Sequence, residues 1–335
     1  MNMVDMVKDH RVYLILCAVL YLGFTLPLIP EAADDIRMAD VFSVDESGAA
    51  AVVRHLYRMG SLELRTFSYG GLFYYLPLLL LRLWDIVGGV TDRVIILTMR
   101  GVCTAAGLGC LWLTWRIGCA VFGRVSGLMG VLLLLATPTF LRWSVEAHPD
   151  LPQLFWMLLA LLYCCRLCRA FSLKDVALAS VFAGLAAGTK YAGVFLLPLI
   201  AMAALLAANG GGLSLRAGFR RILDRRYLLA LVLIPAVFFL VFAWTNPYAL
   251  IHFKPFKVDV EFEREHLNSG HMLRVEQAGF RWLISLGRLV GDINGAILAA
   301  YVLSLVAGRV LGHNRLSADR IALLVWIGGV TGDLM

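Results

Sequence analysis

The sequence predicts an all-α protein that crosses a membrane many times. Of its 335 residues, 60% are hydrophobic and only 16% are charged, and the mean hydropathy is +0.79, whereas soluble domains are roughly half apolar and a quarter charged. A helix that spans a bilayer needs about 20 apolar residues, and several runs reach that length. The runs lie near residues 11–29, 72–87, 93–115, 124–143, 151–167, 174–189, 191–208, 227–244 and 283–308, and another begins near 321.

The basic residues between these runs predict the orientation of the chain. The net charge is +7, but the arginines sit between apolar runs instead of forming one basic surface, so no nucleic-acid partner is expected. Arginine-rich loops face the cytoplasm, which places Asp150, Lys190 and the loop 246–276 on the extracytoplasmic side. The predicted cytoplasmic residues are Arg116, Arg124, Arg166, Arg169, Lys174, Arg216, Arg220, Arg221, Arg225, Arg226, Arg309, Arg315 and Arg320.

The first run fits either a signal peptide or an uncleaved helix. Its length of about 18 residues exceeds that of a usual signal-peptide core, and no clear cleavage site follows, which favours the helix.

The run 72–87 breaks the alternation of sides if it crosses. Its apolar core is short and contains Pro77, so we predict one long outer loop over 30–92 with juxtamembrane helices and a membrane-dipping element; an outside N-terminus or another hairpin would also restore the alternation.

The whole chain, 1–335, is predicted to form a single membrane module. The last apolar run is interrupted by the end of the sequence at Met335. We therefore expect that a C-terminal part is missing.

Asp45 and Glu46 in the first outer loop are candidates for catalysis. The order Ser43-Val44-Asp45-Glu46 forms a capping box, so a helix is expected to begin at Ser43 and to lay its apolar face on the membrane or on neighbouring spans. Asp45 would lie in the first turn, where the helix dipole favours the ionised carboxylate, as a general base requires. The alternative is that Glu46 only caps the helix and Asp45 only complements the dipole.

Asp150 is the second candidate carboxylate, in the sequence His148-Pro149-Asp150 between two spans. It suits an N-cap, with Pro152 in the first helical turn. The predicted orientation places Asp150 on the same side as Asp45, where two carboxylates can divide the roles of base and orienting group.

Three basic residues are candidates for holding a phosphate. Lys190 lies in the short connection after Gly188-Thr189, and Arg93 and Arg100 lie at the outer end of the apolar run 93–115. Cations at helix ends commonly reach the lipid headgroups, but a fixed ammonium can also stabilise the charge of a leaving phosphate.

A metal site is not expected. Glu261, Glu263, Glu265, His266 and His271 follow the span that ends near Asn246, but a solvated amphipathic helix explains them without a metal ion. No nucleotide-binding or hydrolase motif has a supporting context, and no cofactor is predicted.

These motifs together resemble the GT-C superfamily of membrane glycosyltransferases, in particular glycosyltransferase family 39. Asp45-Glu46 is similar to the Asp-Glu pair of that family's first outer loop, and Asp150 to the Asp of its second. The likeness covers most of the chain. Its other parts are the segments 69–75 (YGGLFYY), 184–190 (GLAAGTK) and 245–250 (TNPYAL), and Arg93 with Arg100.

The resemblance implies a GT-C membrane core in a multi-pass inner-membrane protein, as in bacteria, with its active site outside. The donor would be a sugar on undecaprenyl or dolichyl phosphate, and the acceptor a lipid, glycan or protein hydroxyl. Asp45 would act as base with inversion, helped by Glu46 and Asp150, and Lys190, Arg93 or Arg100 would bind the donor phosphate. Tyr69, Tyr74 and His148 would line the donor or acceptor pocket.

Two other functions remain open. A transporter or flippase of lipid-linked sugars would use similar cations and carboxylates as a binding path, although the sequence shows no inverted repeat. A membrane scaffold without catalytic activity is the third possibility.

Overall fold

The computed structural model describes residues 10–34, 45–208 and 225–269, and this part of the chain is helical. The basic stretch at 209–224 and the predicted spans from 283 onward lie outside it, as does Ser43. The helices are α1 (His10–Thr25), α2 (Glu46–Met59), α3 (Gly71–Trp84), α4 (Asp92–Val121), α5 (Arg124–Leu135), α6 (Pro138–Val145), α7 (Asp150–Arg169), α8 (Leu173–Thr189), α9 (Leu196–Ala208), α10 (Arg225–Thr245), α11 (Pro247–Ile251) and α12 (Phe253–Ser269), with a 3-10 turn at Tyr191–Phe195.

Three of the described helices are long and apolar enough to cross a membrane. They are α4 with 30 residues, α7 with 20 and α10 with 21. At about 1.5 Å per residue each matches or exceeds the hydrocarbon thickness of about 30 Å. The predicted all-α membrane fold is confirmed.

The predicted span 124–143 is not one straight helix. It consists of α5 and α6, which are bent by 66° at a break after Leu135. The reason is Pro138, which lacks an N–H group and disfavours the helical conformation of the residue before it; Thr137 is extended, with φ −84° and ψ 112°. Counted as one broken span, the pair brings the number of candidate spans to four in the described part.

Helix α3 corresponds to the run that we predicted not to cross. Its 14 residues, which include Pro77, extend only about 21 Å. This length is too short for an ordinary span. It agrees with an element that dips into the membrane without crossing it, which stays a prediction.

Helix α2 begins later than predicted. Its first residue is Glu46, and Asp45 occupies the N-cap position instead of the first turn, without capping through its side chain. The helix ends as expected at Gly60, which has φ +61°, a conformation that favours glycine. Val53 and Leu56 on its apolar face are buried, so this face packs on protein.

Two apolar clusters hold the helices together. The first, which we call the bundle core, is formed mainly by α4, α7, α8, α9 and α10 and includes Leu111, Leu161 and Ile200. The second, the end cluster, joins α2, α3 and the start of α4 and includes Leu56, Phe73 and Ile96. Since α4 contributes to both clusters, it fixes the end cluster on one end of the bundle.

Candidate active site

Four charged residues from distant parts of the chain meet at the end of the bundle that carries the end cluster. Asp45 precedes α2, His148 lies in the loop between α6 and α7, Asp150 is the first residue of α7, and Lys190 follows α8. We call this set the charge row. The two carboxylates that the predicted orientation places on one side of the membrane are thus brought to one place.

His148 stands between the two carboxylates. Its Nε2 lies 3.7 Å from Asp45 Oδ2, and its Nδ1 is in ion-pair contact with Asp150 Oδ2. The other oxygen of Asp150 accepts a hydrogen bond from Lys190 Nζ at 3.0 Å. Negative and positive groups therefore alternate along the charge row.

The two carboxylates differ in their exposure. The Asp45 side chain is 51% exposed, whereas that of Asp150 is 5% exposed. A hydroxyl from solvent or from a bound acceptor can therefore approach Asp45 but not Asp150. Asp150 was predicted as an N-cap; the N-cap position is Pro149 instead, and the Asp150 carboxylate engages His148 and Lys190.

Aromatic rings surround His148 on two sides. The Trp143 indole stacks on its imidazole at 5.6 Å between centroids and an angle of 11°. The Tyr69 ring packs with its edge toward it at 6.0 Å, and the Tyr69 hydroxyl donates to Asp45 Oδ2 at 3.0 Å. Tyr69 thus contacts both Asp45 and His148, whereas Tyr74 is buried within the end cluster.

Glu46 and Arg100 form a fully buried ion pair beneath the site. The Arg100 Nε and Nη2 donate to the two Glu46 oxygens at 2.7 and 2.6 Å, and both side chains are at most 1% exposed. Nη1 of Arg100 donates to the carbonyls of Ile29 and Glu31. This geometry argues against the predicted contact between Arg100 and a phosphate, and against a capping role for Glu46.

The same ion pair positions two members of the charge row. Glu46 Oε1 also accepts from the backbone N–H of Ala147 at 2.8 Å. Asp45 is the neighbour of Glu46 in the chain, and His148 is the neighbour of Ala147. One buried carboxylate therefore fixes the separation between Asp45 and His148.

Glycines allow the loop before α3 to approach the end of α8 closely. The Gly70 N–H donates to Thr189 O at 3.0 Å, and a Cβ atom at Gly70 would lie 2.1 Å from Gly188 O. A side chain at Gly188 would in turn meet Thr245 Oγ1 at 2.3 Å. Only backbone fits here, which explains the Gly-Gly and Gly-Thr-Lys motifs.

Asn246 joins the third motif to the same place. Its Oδ1 accepts from the Gly71 N–H at 2.6 Å, and its Nδ2 donates to Phe242 O at 3.3 Å and to Thr245 Oγ1 at 3.1 Å. Asn246 thereby ties the start of α3 to the end of α10. The segments around Tyr69, Gly188 and Asn246, which are far apart in the sequence, form one junction.

The local environment changes the pKa of two site residues outside the spans. Burial alone would lower the pKa of His148, but the hydrogen bonding and charge of Asp150 and Asp45 outweigh it and raise the pKa to about 9. Burial and the negative charge of Asp45 raise the pKa of Tyr69. His148 is therefore cationic at neutral pH, and Tyr69 remains a hydrogen-bond donor.

The predicted basic residues divide into two groups. Lys190 lies in the charge row with 35% of its side chain exposed. Arg93 is ion-paired with Asp34, and both side chains are largely exposed, so Arg93 belongs to the surface near the start of α4.

Sequence reasoning did not find the Glu46–Arg100 pair, the bridging position of His148 or the stacking of Trp143. One signal for the pair was present, since an arginine inside an apolar run needs a partner.

Over residues 10–34, 45–208 and 225–269, no three His, Cys, Asp or Glu side chains are grouped as metal ligands. The region of Glu261 forms helix α12, and His271 lies outside the described residues.

A comparison with known protein families supports a membrane glycosyltransferase of the GT-C type. Residues 77–220 match the model of the dolichyl-phosphate-mannose-protein mannosyltransferase family, which confirms the resemblance predicted from the motifs. The match covers less than half of the chain. It includes His148, Asp150 and Lys190, whereas Asp45 and Tyr69 precede it.

Searches of curated proteins and of solved structures found no match.

Proposed function

We propose that the protein transfers a sugar from a polyprenyl-phosphate donor to an acceptor hydroxyl with inversion, and that Asp45 is the general base. The observation that carries this proposal is the meeting of Asp45, Asp150 and Lys190 around His148. It combines an accessible carboxylate with a buried one and a cation, which are the groups that such a transfer uses.

Asp45 is the better placed of the two carboxylates to act as base. It is half exposed, and hydrogen bonding from Tyr69 and the nearby His148 ring restrain its orientation. A base must lie within hydrogen-bond reach of the proton that it removes, and an acceptor hydroxyl has access only to Asp45. Asp150 then orients the base through His148.

Lys190 is the preferred ligand for the donor phosphate. An ammonium group carries three N–H donors, and the bond to Asp150 uses one of them. A phosphate oxygen can therefore bind Lys190 while the ion pair persists, and the cation stabilises the charge that develops on the leaving phosphate. Arg93 is the second candidate and would have to exchange Asp34 for the phosphate.

The proposed donor is a sugar on undecaprenyl or dolichyl phosphate, and the name of the matched family makes mannose the first sugar to test. The proposed acceptor is a lipid, glycan or protein hydroxyl on the extracytoplasmic side of the membrane. The membrane would be the inner membrane of a bacterium. The arginines at the opposite helix ends, such as Arg124 and Arg169, support this orientation by the positive-inside rule.

Transport of a lipid-linked sugar is the competing function. Transporters commonly bind their substrate near the middle of the membrane. The members of the charge row lie instead at helix ends and in loops, which supports transfer at the surface.

The test is an assay of full-length protein in membrane vesicles with radiolabelled undecaprenyl- and dolichyl-phosphate sugars. We expect Asp45→Asn to lower transfer by about 10²- to 10⁴-fold, as for loss of a general base. Asp92→Asn is the matched control, because Asp92 is also at a helix start and partly exposed, but pairs with Arg54 away from the site.

Unchanged transfer by Asp45→Asn would remove Asp45 from its role. Movement of the labelled lipid across the vesicle membrane without transfer would support the transporter. Retention of the donor's anomeric configuration in the product would contradict inversion.

A further inference from the structure

His148 faces a carboxylate with each of its two ring nitrogens. Asp45 Oδ2 lies 3.7 Å from Nε2, and Asp150 Oδ2 contacts Nδ1. A neutral imidazole carries an N–H on only one nitrogen, whereas the imidazolium carries one on both. Only the charged ring can therefore donate toward both carboxylates.

We propose that His148 is a positioning residue for the transfer, a fixed imidazolium that bridges Asp45 and Asp150 and balances the charge of the site during the reaction. This inference rests on the proposed function. In this proposal His148 is a second cation of the site, which does not bind the phosphate but orients the general base Asp45.

The surroundings of His148 suit a fixed ring. Its side chain is 14% exposed, Trp143 stacks on one face, and the Cys103 thiol donates to the His148 carbonyl at 3.2 Å. The ionisable side chains near the ring are the carboxylates of Asp45 and Asp150, the Lys190 ammonium, the Tyr69 phenol and the Cys103 thiol. The two carboxylates favour the charged ring, while Lys190 and burial oppose it.

The charges of the row sum to zero before the reaction, because His148 and Lys190 offset Asp45 and Asp150. During transfer the acceptor oxygen bonds to the anomeric carbon and its proton passes to Asp45. The bond between that carbon and the phosphate oxygen breaks, and the phosphate keeps the electron pair.

The donor phosphodiester carries one negative charge and the released phosphomonoester carries two. Protonation of Asp45 leaves the charge row with one net positive charge at the same moment. The positive charge of the imidazolium is thus no longer offset by Asp45 when the second negative charge develops on the phosphate. Fixed charges of this kind stabilise a transition state without reorganisation.

The first experiment measures the ring itself. Protein labelled with ¹⁵N-histidine in nanodiscs is compared with His148→Gln, so that the His148 signals are found by difference. We expect both ring nitrogens to be protonated at pH 7.5, with a titration midpoint near pH 9 that falls in Asp45→Asn and in Asp150→Asn. A neutral ring at pH 7.5 would overturn the proposal whatever the donor.

The second experiment measures kinetics with whichever polyprenyl-phosphate sugar the unmodified protein transfers. We expect His148→Gln to lower kcat by about 10²-fold, comparable to the loss of one electrostatic stabiliser, with little change in the KM of the donor. The fall in activity as pH rises through about 9 should disappear in this variant. The control is His252→Gln, since His252 pairs with a single carboxylate, Glu63, at the surface.

The outcomes separate the two proposals. If the unmodified protein transfers sugar, Asp45→Asn is inactive and His148→Gln keeps the normal kcat and pH profile, the bridge is wrong and the transferase stands. If a folded His148→Gln loses activity equally at every pH, the role is structural and the bridge is wrong. If the unmodified protein transfers none of the labelled sugars, the proposed function fails and the role of His148 fails with it.

Discussion

The bundle core and the end cluster are stabilised in different ways. The bundle core consists of close-packed Ala, Leu, Cys and aromatic side chains on long helices. The end cluster is smaller, and polar contacts surround it: the buried Glu46–Arg100 pair, the Asn246 junction and the backbone bond from Gly70. Apolar packing tolerates small shifts, whereas each polar contact fixes particular atoms.

This difference explains why the candidate site lies at the end cluster. A general base has to be held within hydrogen-bond distance of its substrate, and loops provide this only when other groups fix them. The bundle core supports the site by holding α4, α7 and α8 in place, but it does not set the distance between Asp45 and His148.

The largest expected effect comes from the buried ion pair. Glu46→Gln leaves Arg100 without its counter-charge, and removal of one partner of a buried pair costs about 3–5 kcal/mol. We also expect a lower kcat, because Asp45 and His148 lose their common support. Thermal and denaturant unfolding in detergent and the sugar-transfer assay measure the two effects.

Leu161→Ala sharpens this comparison as a control in the bundle core. Leu161 is 1% exposed, and its truncation costs about 2–5 kcal/mol, similar to the loss of the ion pair. Its folded fraction should keep a normal kcat. Equal kcat losses in the two variants would contradict the separate roles of the two clusters.

The next effect is the pH dependence of stability due to His148. Its pKa rises from an ordinary value of 6.5 to about 9 on folding, so its contribution is fully present below pH 6.5 and is lost as pH rises through about 9. The contribution of His148 to the free energy of unfolding is at most about 3.5 kcal/mol, from about 1.4 kcal/mol per pKa unit.

The measurement compares unfolding of the unmodified protein and of His148→Gln at pH 6.5 and at pH 10. Groups other than His148 titrate in both proteins, so their effects cancel in the difference between the two free energies of unfolding. This difference should narrow at the higher pH, because His148 loses its proton there. A gap that is independent of pH would contradict the charged bridge.

Gly70→Ala tests the close approach of the loop to α8. The added Cβ would meet Gly188 O, so the backbone has to shift, and overpacking of this kind costs about 1–3 kcal/mol. Gly101→Ala in α4 is the control, since nothing lies within 4 Å of its Cβ position and alanine is the better helix former by about 1 kcal/mol. Changes of opposite sign in the free energy of unfolding of the two variants would confirm the close approach of the loop to α8, and changes of equal sign would contradict it.

Much of the fold could be predicted from the sequence because the bilayer imposes length and composition on each span. Hydropathy indicated α4, α7 and α10, and the motifs indicated that Asp45 and Asp150 meet. The bend before Pro138 was missed because a proline inside an apolar run is compatible with a continuous hydropathy signal.

The partner of Arg100 could not be predicted for a different reason. A buried arginine requires a carboxylate, but several acidic residues of the first loop satisfy that need, and Glu46 lies 54 positions away. The capping box assigned Glu46 to the backbone of its own helix. Its burial beside Arg100 and Ala147 shows that a tertiary ion pair prevailed over a local hydrogen bond.

Asn246 gives the smallest and most graded test of the end cluster. Asn246→Ala removes the acceptor of the buried Gly71 N–H, and an unsatisfied buried group costs about 1–3 kcal/mol. Asn246→Asp keeps this acceptor but loses the donations to Phe242 O and Thr245 Oγ1, so we expect a cost between those of alanine and asparagine. Hydrogen exchange of the Gly71 amide measures the local effect: exchange should accelerate in the alanine variant and less in the aspartate variant, whereas equal acceleration in both would mean that the amide donor, not the acceptor, holds the start of α3.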